Sequence, residues 1–237
     1  MEKKFELVRN GDMVVRNSDG EAINLYRIRA LKTFSCPIKL NGQNKELFSY
    51  TVKEGDLGGW VEKEENLSHD GGCWIFNNAR VYDNARIEDN AQIHHSAVVN
   101  ENSVIKDYVS ILDRVQVTDA SVVSGLTKIV NNSVISNSKL IGDDGILILG
   151  QSQVSGSTLR GRIYLDGVMI SDAEILNYLH LTGFYHVTFN TKSNEDVATY
   201  RTTKAIRPMS KTDQELNRFG YVTAATKEDI WGIFPFW

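Results

Sequence analysis

Apolar and polar positions repeat with a period of six residues over the central part of this chain. Every sixth residue there is isoleucine or valine, namely Ile75, Val81, Ile87, Ile93, Val99, Ile105, Ile111, Val117, Val123, Ile129, Ile135 and Ile141. The residue two places before each of these is mostly small, and the residue two places after is mostly aspartate or asparagine. A period of six fits neither an amphipathic helix nor a long alternating strand, so ordinary helical and hairpin folds are excluded for this stretch.

The period of six has a simple structural explanation. Side chains two residues apart on a strand point the same way, so each aliphatic residue and the small residue before it face one core. Aspartate and asparagine tolerate tight corners, which turn the chain after each short strand. Three hexads make a coil of about eighteen residues, and stacked coils enclose a triangular aliphatic core. The pattern therefore predicts an all-β parallel solenoid.

A family resemblance rests on the hexads together with the segment that precedes them, GDLGGWVE at residues 55–62 and ENLS at residues 65–68. These residues resemble the left-handed β-helix hexapeptide-repeat family. The lead-in is similar to that of a branch found largely in phage and bacterial genomes, whose members are labelled transferases or polymer-forming proteins. The resemblance covers about residues 26–142 and implies a left-handed parallel β-helix. Activity must still be argued from a site, because one fold hosts unrelated activities.

The chain divides into three regions on this interpretation: a β-rich N-terminal cap (1–58), the solenoid (59–188) and a C-terminal tail (189–237). In the cap, turn residues at 10–12 and 17–20 separate three short strands, and a hairpin is predicted around residues 40–43. A solenoid end exposes unpaired strand edges and core, so we expect the first region to cover it. The alternative is a separate ligand-binding domain.

The period becomes irregular after Ile141. Leu147 is expected to point inward, and the aliphatic positions then resume as Val154, Leu159, Leu165, Ile170, Ile175, Leu181 and Val187. Glycine-rich stretches at 142–145 and 150–156 are the loosest places, so any side loop should leave the rod there. In the tail, a short helix is predicted over Lys211–Phe219, and the aromatic end at 231–237 is expected to dock on the last coil or on a neighbouring subunit.

The glycine-rich segment 55–60 allows two interpretations. A loop of this kind can cradle phosphate, but the Lys-Ser/Thr pair of a P-loop is missing. We favour a tight turn into the first coil, with Trp60 and Trp74 plugging the end of the core.

Charge and cysteine content narrow the function classes. The net charge is -4, with 26 basic against 30 acidic residues, which argues against a nucleic-acid partner. The chain has no signal-peptide hydrophobic region and no apolar run of about twenty residues, so no membrane association is expected. Cys36 and Cys73 lack CxxC spacing, which indicates reduced thiols in a cytoplasmic protein.

Acidic residues dominate the predicted corners, at Asp83, Asp89, Glu101, Asp107, Asp113 and Asp119. Three negative edges could imitate nucleic-acid phosphates or collect cations. The simpler interpretation, which we favour, is that aspartate suits the backbone geometry of a corner.

Five histidines were considered as catalytic or metal-binding groups: His69, His94, His95, His180 and His186. The resemblance implies that a CoA-dependent acyltransferase would use a histidine base, for which His94 and His95 are the candidates, with acetyl-CoA as cofactor. No insertion interrupts the hexads near them, and both are expected on the surface, with His95 stacked between Asn77 and Asp113. His180 and His186 lie one hexad apart and therefore on different faces, a poor geometry for one metal ion, so no metal site is expected. No resident cofactor is expected outside the acyltransferase alternative.

An apolar stripe is predicted on one face of the rod. Coils of eighteen residues align the outward residues Arg86, Val104, Val122 and Leu140 in one column. The second column is Arg80, Val98, Gln116 and Val134, and the third is Trp74, Gln92, Ser110 and Lys128. Only the first keeps three consecutive apolar residues, so Val104, Val122 and Leu140 are expected to form a homo-oligomer interface, a trimer first. The alternative is that the aromatic tail covers the stripe.

These features together favour a non-enzymatic scaffold or binding protein, oligomeric and, by resemblance, phage- or prophage-borne. The main alternative is a CoA-dependent acyltransferase. A further alternative is a viral protein that sequesters a ligand or inhibits a host defence system, with a host protein or a small molecule as partner.

Overall fold

The computed structural model describes residues 2–39, 46–161, 163–167, 169–172, 174–175, 179–182, 185–188, 207–208 and 222–223. Within these residues the chain is nearly all β-strand and contains no α-helix; a single 3-10 turn spans Glu64–Asn66. The helix predicted over residues 211–219 and the aromatic end at 231–237 lie outside the described residues.

The strands fall into three groups by position in the chain. The N-terminal group comprises β1 (Phe5–Arg16), β2 (Ala22–Ala30), β3 (Phe34–Lys39), β4 (Glu46–Val52) and β5 (Leu57–Val61). The regular solenoid strands are β6 (Trp74–Ile75), β7 (Arg80–Val81), β8 (Arg86–Ile87), β9 (Gln92–Ile93), β10 (Val98–Val99), β11 (Val104–Ile105) and β12 (Ser110–Ile111). The later strands are β13 (Gln116–Thr118), β14 (Val122–Ile129), β15 (Val134–Ser136), β16 (Lys139–Leu149), β17 (Gln153–Ser155), β18 (Thr158–Arg160), β19 (Ile163–Asp166), β20 (Met169–Ser171), β21 (Glu174–Ile175), β22 (Leu179–Thr182), β23 (Tyr185–Thr188), β24 (Arg207–Pro208) and β25 (Val222–Thr223).

Short strands stack in parallel, coil upon coil, and form a β-solenoid of about six turns, which confirms the predicted fold class. In the regular part each strand pairs with the strand eighteen residues later, as Ile87 does with Ile105 and Ile105 with Val123. From Ile75 to Ile135 the aliphatic residue of each hexad is fully buried, whereas Ile141, also predicted to face inward, is half-buried and pairs with Ser124. Two of the three faces join into one sheet, because β14 and β16 run unbroken around a corner and pair on both sides of it.

The corners owe their shape to aspartate and asparagine. Among the residues that the structure describes, eleven non-glycine residues have φ between 45° and 66°, and nine of them are Asp or Asn. Their side chains also form a ladder, in which the corner carboxylate of one coil accepts the backbone N–H of the corner residue in the next. Asp89 Oδ2 lies 3.1 Å from the Asp107 nitrogen, and Asp107 Oδ2 lies 2.9 Å from the Gly125 nitrogen. This supports the turn-chemistry interpretation of the acidic column.

The first hairpin extends one solenoid sheet beyond the first coil. β1 pairs antiparallel with β2, β2 with β5, and β5 lies parallel to β7. Residues 10–12, expected to form a turn, instead lie within β1, where the register shifts between Val8 and Met13. The turn expected at residues 17–20 does join β1 to β2.

The second hairpin, β3–β4, lies along the side of the rod rather than over its end. The Phe34 ring contacts the Trp74 ring edge-on at 5.3 Å, and Gln92 Nε2 donates a 3.1 Å hydrogen bond to the Pro37 carbonyl. Further along, Lys39 Nζ lies 4.0 Å from the centre of the Tyr108 ring. We call this hairpin the strap; it covers the start of the third face.

The tryptophan plug was a wrong expectation. Trp60 and Trp74 both occupy outward columns, opposite Arg80 and Gln92 respectively. Trp74 is buried because the strap and β1 cover it, not because it enters the core. Glycines close the core end instead: a Cβ on Gly58 would lie 2.5 Å from Ile28 Cγ1, and one on Gly59 would clash with Ile75.

The register shifts by one residue before Leu140, which corrects the predicted stripe. Leu140 pairs with Val123 and is fully buried, whereas Lys139 takes the outward position opposite Val122. In strict register Lys139 would occupy the small inward position, where burying an ammonium is costly. The corner is one residue shorter, so Ser138 enters the core instead.

As far as residue 161, where the description is continuous, the later coils vary in length without releasing a loop. Lys139–Leu149 is one continuous strand, so no loop leaves the rod at 142–145. Ile148, not Leu147, faces inward opposite Ile129. The number of residues between stacked inward positions is 19 from Ile135 to Val154 and 16 from Val154 to Ile170, in place of the regular eighteen. The other late positions predicted to face inward lie in register as expected: Leu159, Leu165, Ile175, Leu181 and Val187.

Candidate functional site

The first face of the rod carries the outward column Arg86, Val104, Val122 and Lys139, which we call the valine face. Val104 and Val122 are half-buried, and the two charged residues are exposed. Leu140 does not belong to it. The apolar stripe is therefore two residues long and is bounded at both ends by cations.

His94 is buried, contrary to the expectation of a surface residue. Its ring stacks on Phe76, with centroids 4.3 Å apart and planes 4° from parallel, and Tyr50 of the strap lies 5.7 Å away. Its Nε2 lies 3.3 Å from Gln92 Oε1. Burial lowers the pKa of His94 to about 4, and the charges of His95 and Lys128 act in the same direction. The strap explains the burial, because it covers a position that the repeat leaves outside.

His95 is part of the corner ladder. The backbone N–H of His95 donates to Asn77 Oδ1 at 3.2 Å, and its ring Nδ1 accepts the backbone N–H of Asp113 at 3.1 Å. Its side chain is 52% exposed. The centroids of the His94 and His95 rings are 6.1 Å apart and the two rings have different partners, so they do not form one catalytic unit.

A buried lysine near the first coil was missed by the sequence analysis. Lys4 is 1% exposed, and its Nζ donates to the carbonyls of Asp70, Gly71 and Cys73 at 3.3, 3.4 and 3.0 Å. Nζ also lies 3.2 Å from Cys73 Sγ and 5.3 Å from the centre of the Phe34 ring. The ammonium thus satisfies carbonyls that the end of the solenoid leaves unpaired. No periodicity marks this lysine, because its partners lie more than sixty residues away.

Both cysteines lie beside this ammonium and are free. Burial raises the pKa of the Cys36 thiol to about 12, and burial also raises the pKa of Cys73; the Lys4 charge opposes both shifts. These are the properties of structural thiols rather than of nucleophiles.

His69 fastens the same end of the rod. Its Nδ1 accepts the Lys4 N–H at 3.1 Å, and its Nε2 lies 2.7 Å from Glu64 Oε1. Hydrogen bonds from Lys3 and His69 lower the pKa of Glu64. Both ring nitrogens are therefore occupied within the chain.

A concavity of about 600 Å³ opens beside the valine face, and we call it the amide pocket. Its lining consists of Lys63, Glu65, Asn66, Asn84, Ala85, Arg86, Asn102 and Val104. Arg86 and Val104 belong to both surfaces. The eighteen-residue spacing of Asn84 and Asn102 could have revealed the stacked amides. The contribution of Lys63 could not be foreseen, because it precedes the repeat.

In the part of the chain that the structure describes, no three His, Cys, Asp or Glu side chains are grouped to hold a metal ion. No helix among the described residues has the length and hydropathy of a membrane span. His180 and His186 lie in strands of different sheets.

The fold and these surfaces define a parallel β-solenoid protein with three-sided coils and a lateral hairpin. The sequence matches no protein-family model, and a search of curated proteins returns no match.

Proposed function

We propose that this chain is a non-enzymatic scaffold or binding protein of the hexapeptide β-solenoid type. It assembles through the valine face into a homo-oligomer, a trimer as first choice, and works in the cytoplasm. A phage or prophage origin is part of the proposal on the resemblance of the GDLGGWVE lead-in.

The observation that supports assembly is the difference between the three faces. The strap covers the start of the third face. On the second face the exposed Gln116 interrupts the apolar residues Val98 and Val134. Over the coils up to Lys139 the valine face alone keeps apolar residues in consecutive coils, Val104 and Val122; further along, Leu147 and Tyr164 do so on the third face. Such a surface, bounded by cations, fits a contact with a second copy.

The test is the double variant Val104→Glu with Val122→Glu, examined by light scattering. Buried at an interface, two added carboxylates repel each other and lose their hydration, so the wild type is expected to be oligomeric and the variant a folded monomer. The matched control is Val98→Glu with Val134→Glu, the equivalent outward positions of the second face, which should stay assembled. A monomeric wild type, or an assembled Val104/Val122 variant, would show that this face is not the interface.

The acyltransferase alternative requires a histidine base with a free lone pair facing an acceptor. His94 has a buried ring, and Nδ1 of His95 accepts the N–H of Asp113. Both environments favour the non-enzymatic proposal. Titration of acetyl-CoA by calorimetry separates the two: we expect no saturable heat, and binding followed by acyl transfer that is lost in His94→Ala/His95→Ala would reverse the conclusion.

A further inference from the structure

Three side chains that carry hydrogen-bond donors line the amide pocket: Lys63, Arg86 and Asn102. Lys63 Nζ lies 3.2 Å from Asn84 Oδ1, and Asn84 Nδ2 lies 3.2 Å from Asn102 Oδ1. An ammonium can only donate, so the Asn84 oxygen must face Lys63 and its NH₂ must face the Asn102 oxygen. The Asn102 NH₂ is therefore the donor end of a chain of aligned dipoles that begins at a cation. The Arg86 guanidinium adds further donors beside it.

The carboxylates nearest to this chain are largely engaged elsewhere. Glu62 Oε2 accepts the Asp83 N–H at 2.6 Å, and Asp83 Oδ2 accepts the Glu101 N–H at 3.1 Å. Glu65 is the one carboxylate in the lining, against the two cations Lys63 and Arg86. Arg86 Nε lies 3.6 Å from Glu88 Oε1, but both side chains are exposed, so this ion pair holds the guanidinium only weakly.

The pocket is larger than an inorganic anion, because its volume of about 600 Å³ is that of a typical small-molecule site. Ala85 is fully buried, so the half-buried Val104 is the apolar side chain that a ligand would contact. We propose that the amide pocket binds a small organic phosphate, with its oxyanion at the Arg86 and Asn102 donors, at the end of the hydrogen-bond chain that Lys63 polarises, and its organic part against Val104. This inference rests on the binding role proposed above and names the class of ligand.

The test is calorimetry with adenosine monophosphate as probe, with pyrophosphate and adenosine as partial probes. We expect saturable binding of the monophosphate and none of adenosine, because the oxyanion supplies the charge-assisted hydrogen bonds. Lys63→Met and Asn102→Ala should each weaken binding by about tenfold. Lys128→Met, which removes one positive charge from a half-buried position on the third face, should bind like the wild type.

Two results would overturn the assignment: absence of saturable heat with both phosphate probes, or wild-type affinity in Lys63→Met. Circular dichroism checks that each variant is folded. The variant Val122→Glu tests ligand binding independently of the proposed assembly, because Val122 lies on the valine face but does not line the pocket. It should bind the probe as a monomer, and loss of binding there would show that the site does not belong to a single chain. If the wild type is monomeric and binds the probe, the proposed assembly is wrong and the proposed ligand site stands.

Discussion

At the scale of single residues, His94 and His95 show how the hexad assigns neighbouring positions to different environments. His94 follows the inward Ile93 and lies beneath the strap, whereas His95 occupies a left-handed corner. Replacement of both by alanine should therefore lower the stability of the fold, as measured by thermal unfolding. The loss of the stacked His94 ring should cost about 2 kcal/mol.

Ile105 offers the sharpest test of the core. It is fully buried between Ile87 and Val123 in the aliphatic stack, so Ile105→Asp places an unpaired charge there. We expect a loss of several kcal/mol, about the whole stability of a marginal domain, measured by thermal unfolding. Val98→Asp, half-buried on the outside of the previous strand, is the control and should unfold near the wild-type temperature. An unchanged melting temperature for Ile105→Asp would contradict the register.

The buried His94 makes stability depend on pH. Its pKa in the folded state is about 4, against 6.5 for the ordinary group. Between these values the unfolded chain binds the proton and the folded chain does not, so the free energy of unfolding decreases as the pH falls. The full effect is about 3 kcal/mol, reached near pH 4 and absent above about pH 7.

Urea unfolding from pH 7.5 to pH 4 measures this effect. Other groups also titrate in that range, so the informative quantity is the difference between the wild type and His94→Phe, which keeps the stack on Phe76 without a titrating nitrogen. We expect the wild type to lose more stability on acidification than the variant. Parallel curves would show that His94 does not carry the effect.

At the scale of the element, the repeating unit is a short strand plus a corner. Asp107 has φ 59°, and its Oδ2 lies 2.9 Å from the Gly125 nitrogen. Asp107→Asn keeps both properties and should cost less than about 0.5 kcal/mol. Asp107→Gly loses only the hydrogen bond, which should lower the free energy of unfolding by about 1 kcal/mol. Asp107→Ala also adds the strain of a left-handed backbone, so its total loss should be about 2 kcal/mol.

Urea denaturation of the three Asp107 variants ranks these costs. The order asparagine, glycine, alanine separates strain from hydrogen bonding, because glycine relieves only the first. If alanine were as stable as asparagine, the ladder and the corner geometry would both be unimportant at this position.

At the scale of the whole molecule, the proposed assembly depends on which faces of the rod are left uncovered. The strap occupies part of the third face, and the Lys4 ammonium joins β1 to the first coil. Through these two contacts the N-terminal region covers the start of the rod. The valine face, which they leave uncovered, is the proposed contact with a second copy. Native mass spectrometry should then give three times 26.6 kDa, and any retained small molecule would appear as an added mass.

The sequence alone determined the solenoid, its inward columns from Ile75 to Ile135 and the nature of its corners. These depend on contacts between residues about eighteen positions apart, so a local period encodes them. The tertiary structure decided the rest. Lys139 faces outward and Leu140 inward, the reverse of the prediction, because burying an ammonium in the core is costly. Lys4, Trp74 and His94 are buried because of contacts with the N-terminal strands. No repeat records contacts of that kind, since the partners meet only after both parts of the chain have folded.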